Sequence, residues 1–154
     1  MTTEIRGGCA CGAVRYTCSE RPLVQLICHC RDCQRASGSA FAACLIFPTD
    51  RLQFHGKALK PHEVQAHSGR TMQRLSCADC GSPVAIARPE TPLVQFVHAA
   101  SLDDPAIFAP ICEVWVSRAQ AWHPYLAQTL KFDEGPAPEL IRDPIAAYFA
   151  ARTQ

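Results

Sequence analysis

The sequence predicts a mainly β protein, and three observations carry that expectation. Short apolar or alternating runs recur along the chain, most of them closed by glycine or proline. The 3.6-residue period of a helix is clear only near the C-terminus. At 154 residues the chain has the length of one domain with a real hydrophobic core.

The elements follow in order. Residues 12–18 alternate and carry Val14 and Tyr16, and 23–28 are a mostly apolar run. Residues 41–47 form another run, stopped by Pro48, and 51–54 meet a turn at His55-Gly56. Strands are then expected over 71–77, 83–87, 93–98 and 112–116, with Trp115 in the aromatic core. Gly135, Pro136 and Pro138 mark a loop. After it, Asp143 can cap a helix over about 143–152, with Pro144 at the first helical position. The expected organisation is a single domain over 1–154.

Seven of the ten cysteines fall into three clusters: Cys9 and Cys11; Cys28, Cys30 and Cys33; Cys77 and Cys80. Closely spaced thiols can turn onto one tetrahedral ion. The two pairs are natural partners and would make a closed four-thiolate site, Cys9, Cys11, Cys77 and Cys80. Gly8 and Gly12 flank the first pair and Gly81 follows the second, which lets the backbone turn tightly there. The alternative for Cys77 and Cys80 is a redox pair, but no βαβ pattern surrounds them. Cys28, Cys30 and Cys33 leave a second site with an open position, the arrangement that permits chemistry. The open position could take water, substrate sulfur or a nearby side chain. His29 lies inside this cluster, but on an extended segment its ring points away from Cys28 and Cys30, so a packed or surface imidazole is expected. Cys18, Cys44 and Cys112 sit alone in apolar strands and read as small core residues.

A disulfide framework is the competing account of so many cysteines. No charged segment followed by an apolar run opens the sequence, and no stretch approaches the roughly 18 apolar residues of a membrane span. The expected location is therefore the reducing cytoplasm, where clustered cysteines favour metal or catalysis over bridges. The formal net charge is +1, from 15 Lys+Arg and 14 Asp+Glu. That balance lacks the basic footprint of a nucleic-acid binder, and no basic amphipathic helix points to a membrane surface.

The motifs Gly-Gly-Cys-x-Cys-Gly-x-Val-Arg-Tyr (7–16), Cys-His-Cys-x-x-Cys-Gln-x-x-Ser-Gly (28–38) and Cys-x-x-Cys-Gly-Ser (77–82) resemble the glutathione-dependent formaldehyde-activating family, which includes centromere-protein-V-like members. The segment from Val114 to Arg118 and on to Trp122 is similar to that family's C-terminal part. The resemblance implies an Mss4-like β-tent of short antiparallel strands. It implies structural zinc on Cys9, Cys11, Cys77 and Cys80, and catalytic zinc on Cys28, Cys30 and Cys33, two ions per chain. It also implies carbon–sulfur lyase activity of the S-hydroxymethylglutathione synthase type, with glutathione or another small thiol and formaldehyde or a related aldehyde as partners.

Glutathione carries two carboxylates, so cations and hydrogen-bonding groups beside the open cluster are candidate contacts: Arg31, Arg35, Gln34, Ser37 and Ser39. The plainer account is that they offset the negative thiolates or face solvent. Two other classes of function fit the same residues. One is a non-catalytic zinc scaffold for protein contact. The other is a redox- or metal-responsive protein whose open site loses zinc on oxidation.

Overall fold

The computed structural model describes residues 4–152, which form two compact units. Residues 4–22 and 45–108 make the first unit; residues 23–44 and 109–152 make the second.

In the first unit, β1 (Ile5–Gly8), β2 (Val14–Cys18) and β5 (Leu52–Gly56) form an antiparallel sheet in the order β1-β2-β5. The alternation in 14–18 has the expected meaning: Val14, Tyr16 and Cys18 are fully buried, while Arg15 and Thr17 between them are not. An antiparallel meander follows, built from β6 (Leu59–Gln65), β7 (Thr71–Cys77), β8 (Pro83–Ala87) and β9 (Val94–His98). Strand β4 (Ala42–Pro48) gives its C-terminal half to this unit and its N-terminal half to the second. Ile46, Phe47, Val84 and Val97 fill the core here.

The approach of β1 to its neighbours leaves no room for a side chain at Gly7. A Cβ there would meet the Tyr16 hydroxyl and the Ser101 carbonyl far inside van der Waals contact. Tyr16 is fully buried, its hydroxyl is 3.0 Å from Ser101 Oγ, and burial pushes its phenol up to about 12. Gly7→Ala is therefore expected to destabilise the protein by about 1–3 kcal/mol, the usual range for overpacking, read as a lowered midpoint in urea denaturation.

The second unit holds β3 (Val24–Cys28), β10 (Cys112–Val114) and β11 (Leu130–Phe132), with helices α1 (Arg31–Ser37) and α2 (Pro138–Ala150). Here the pairing departs from an all-antiparallel expectation. Strand β10 runs parallel to both β3 and β11, with Val114 opposite Cys28 and Phe132. The strand predicted over 112–116 ends at Val114, because Trp115 takes the left-handed conformation (φ 59°, ψ 38°) and a 3-10 turn over Val116–Arg118 follows. Trp115 is half-buried at this corner, not a core residue on a strand.

The C-terminal helix also differs from expectation. It starts at Pro138, not near 143, and ends at Ala150, so Asp143 is not its cap and Pro144 lies inside it. Pro138 has the fixed φ that suits a first helical turn, and Glu139 adds a favourable charge there. The helix tolerates Pro144 although the ring removes one main-chain hydrogen bond. No helix among the described residues is long and apolar enough to cross a membrane.

Candidate metal centres

Two groups of cysteine sulfurs gather among the described residues, and each lies within one unit. The Sγ atoms of Cys9, Cys11, Cys77 and Cys80 lie within 4.8 Å of one another in the first unit, as do those of Cys28, Cys30 and Cys33 in the second. All seven cysteines singled out in the sequence are thus brought together in the predicted four-plus-three division. Cys18, Cys44 and Cys112 are buried outside both groups.

The four-sulfur group is built from two knuckles. In the first, the Cys9 amide donates to the Val14 carbonyl (3.0 Å) and the Gly12 amide to the Cys9 carbonyl (3.1 Å). In the second, the Cys77 amide donates to the Ser82 carbonyl (3.0 Å) and the Gly81 amide to the Cys77 carbonyl (2.9 Å). Both turns need positive φ, 76° at Gly12 and 73° at Gly81, which accounts for the glycine after each pair.

Ser82 ties the knuckles together. Its Oγ accepts from the Ala10 amide (3.2 Å) and lies 3.1 Å from Cys80 Sγ. That hydroxyl, helped by the Ser82 backbone, holds the Cys80 thiol down at about 5. The Val14 amide, 3.2 Å from Cys9 Sγ, likewise lowers Cys9. A backbone bond at Ala13 favours the Cys11 thiolate, but the neighbouring sulfurs of Cys9 and Cys80 outweigh it and push Cys11 up to about 12.

These residues fit a tetrahedral ion. Four sulfurs about 2.3 Å from one zinc stand roughly 3.8 Å apart. Cys9 and Cys11 are 3.5 Å apart, and Cys11 and Cys77 are 3.8 Å apart. Thiolate donors suit zinc among common metals.

The three-sulfur group sits where β3 passes into α1. Cys28 ends the strand, Cys30 is the helix N-cap and Cys33 lies in the first turn. Cys30 Sγ accepts from the Cys33 amide at 3.4 Å, so the thiol takes the place of the usual capping oxygen. Gly38 closes the helix in the left-handed conformation (φ 65°). The Cys28 thiol, then that of Cys33, stabilises the Cys30 thiolate and brings Cys30 down to about 2. Cys28 is raised, chiefly by Cys30, and Cys33 by Cys28 and Cys30. A divalent ion taking all three sulfurs would displace the protons of Cys28 and Cys33. No fourth Cys, His, Asp or Glu ligand atom joins this group among the described residues.

His29 is buried and turned away from the sulfurs, as the alternation of an extended segment requires. Its Nε2 lies 2.6 Å from Glu113 Oε2, and both side chains are 1% exposed. Glu113 is the residue that sequence reasoning missed. Its other oxygen accepts from the Leu126 amide (2.8 Å) and the Thr129 hydroxyl (2.7 Å). Burial alone would raise the Glu113 carboxyl, but Thr129, His29 and Leu126 outweigh it and hold it below its ordinary value. Phe41 and Tyr125 cover the His29 ring edge-on, at 5.9 and 5.6 Å.

The expected substrate contacts divide. Gln34 is buried and fully engaged: its Nε2 donates to the His29 carbonyl (2.6 Å) and the Arg118 carbonyl (2.9 Å). Its Oε1 accepts from Arg31 and from Gln120 Nε2. Ser37 donates to the Phe41 carbonyl at 2.7 Å. Arg35 and Ser39 remain exposed, as does Trp122.

A family model described as "Glutathione-dependent formaldehyde-activating enzyme" matches residues 4–118. No curated protein matches the sequence. Among solved structures, a Rhodobacter sphaeroides protein determined as a structural-genomics target is similar, with a TM-score of 0.51 and 18% identity. The match covers 82% of this chain and 98% of that one, and it shows a shared fold.

Proposed function

The chain belongs to the glutathione-dependent formaldehyde-activating enzyme family, and from that premise we propose that it is a zinc-dependent carbon–sulfur lyase-type enzyme joining a small thiol, of the glutathione kind, to formaldehyde or a related aldehyde. In this reading Cys9, Cys11, Cys77 and Cys80 hold a structural zinc, and Cys28, Cys30 and Cys33 hold a catalytic one. The observation that carries it is the contrast between a group of four sulfurs and a group of three with no fourth ligand among the described residues.

Cys28, Cys30 and Cys33 would hold the ion, and bound zinc would supply thiol activation rather than strong carbonyl polarisation, because three thiolate donors weaken it as a Lewis acid. The protein's own part is positioning. Helix α1 sets Cys33 one turn from its cap at Cys30. Gln34 anchors that helix to the 118–120 segment. Phe41 and Tyr125 pack edge-on against the buried ring of His29, between Cys28 and Cys30 in the chain. The reaction is an addition: the thiol sulfur forms a bond to the aldehyde carbon, the carbonyl π bond opens, and the proton ends on the new hydroxyl oxygen. No electron donor or acceptor is needed.

The test is a panel of small thiols and aldehydes, with adduct formation followed by NMR on protein of measured zinc content. Glutathione with formaldehyde is expected to react faster than the uncatalysed pair. No acceleration with any thiol–aldehyde pair, on protein carrying two zinc ions, would overturn the enzyme reading and favour a non-catalytic scaffold.

A further inference from the structure

His29 is held on three sides. Its amide donates to the Val114 carbonyl at 2.9 Å, extending the parallel pairing of β3 with β10 by one residue. Its carbonyl accepts from Gln34, and its ring meets Glu113. Glu113 is fixed in turn by Leu126 and Thr129, and Lys131 Nζ lies 3.6 Å from the same carboxylate. Every one of these residues belongs to the second unit. The chain places Cys28 and Cys30 on either side of this one clamped residue.

We propose that Glu113 and His29 act as positioning residues: their buried pair fixes the segment between Cys28 and Cys30 so that both sulfurs face the third, Cys33, before any metal arrives. The proposal rests on reading Cys28, Cys30 and Cys33 as a metal site. Its physical basis is the entropy of the flanking residues. Cys28 ends a strand and Cys30 starts a helix, so the residue between them sets the angle between two elements. An unclamped junction would have to be ordered by the metal itself, at the expense of affinity. Glu113 reaches this junction from a strand 84 positions further along the chain, which makes the clamp tertiary rather than local.

The test compares two sites in one molecule. Wild type, Glu113→Leu, Glu113→Gln and His29→Phe are loaded with zinc and titrated with a chromophoric chelator. The four-sulfur group, in the other unit, serves as the internal reference. Wild type is expected to release two zinc equivalents in separate steps. Glu113→Leu and His29→Phe are expected to weaken only the three-sulfur site, by about 10- to 100-fold, as for other outer-shell partners of metal ligands. Glu113→Gln keeps the size and one oxygen for Leu126 and Thr129, with its amide turned to His29 Nε2, and is expected to recover part of that loss. Unchanged affinity at the three-sulfur site, or equal weakening of both sites, would overturn the proposal. If Glu113→Leu does not fold, His29→Phe decides by the same criterion. Wild type that takes up only one zinc would instead defeat the underlying reading of the three-sulfur group.

Discussion

Replacing Cys77 with serine is expected to abolish cooperative folding of the protein and to remove one zinc equivalent. Cys77 is 2% exposed, ends β7 and stands 3.8 Å from Cys11 across the four-sulfur group. A structural zinc in a small site contributes about 10–16 kcal/mol of apparent binding free energy, whereas a whole domain retains only about 5–15 kcal/mol of net stability. Losing one of four thiolates, and leaving three crowded sulfurs with their charge unbalanced, takes away most of that margin. Metal analysis and thermal unfolding check the result. A cooperative transition within a few degrees of wild type, with zinc content unchanged, would rule out a structural role for this site.

Cys30→Ser is expected to do the opposite: keep the fold and lose the chemistry. Cys30 caps α1 by accepting from the Cys33 amide, and serine is among the best capping residues, so the helix should stay closed. The hydroxyl is a far poorer zinc ligand than a thiolate, so the second zinc equivalent is expected to be lost. Metal assistance supplies several kcal/mol of transition-state stabilisation, and each 1.4 kcal/mol is tenfold, so thiol–aldehyde activity should fall by about a thousandfold. The checks are zinc stoichiometry, melting temperature and adduct formation on the same sample. Full activity with one ion bound would sink the assignment of Cys28, Cys30 and Cys33 to catalysis.

The two sets of sulfurs were legible in the sequence because the cysteines come in closely spaced clusters, and two pairs with one triad divide naturally into four and three. Strands β7 and β8 were legible to the residue, since turn residues bound both. Helix α1 was not. Its seven residues are too few for a clear period, and its cap is a cysteine that reads as a ligand. Strand β6 escaped because nearly all of it is exposed and Pro61 interrupts it, which an edge strand allows. The end of β10 was missed because Trp115 adopts a conformation that non-glycine residues seldom take. The Glu113 contact to His29 is set by the register of β10 on β3, and a single sequence carries no local sign of that pairing.

The spacing of the cysteines has a consequence for synthesis. Cys28, Cys30 and Cys33 leave the ribosome nearly together, and their sulfurs need only a short turn to meet. Cys11 and Cys77 are 66 positions apart, a gap of roughly 3–13 s at 5–20 residues per second. Closing a loop of that length costs about 4 kcal/mol before the ion is gained. Through that interval Cys9 and Cys11 stand as half of a site whose other half is still to come. The three-sulfur group thus has all its sulfurs first as the chain emerges, but Glu113, which clamps it, follows only after Cys80 has supplied the last sulfur of the other group.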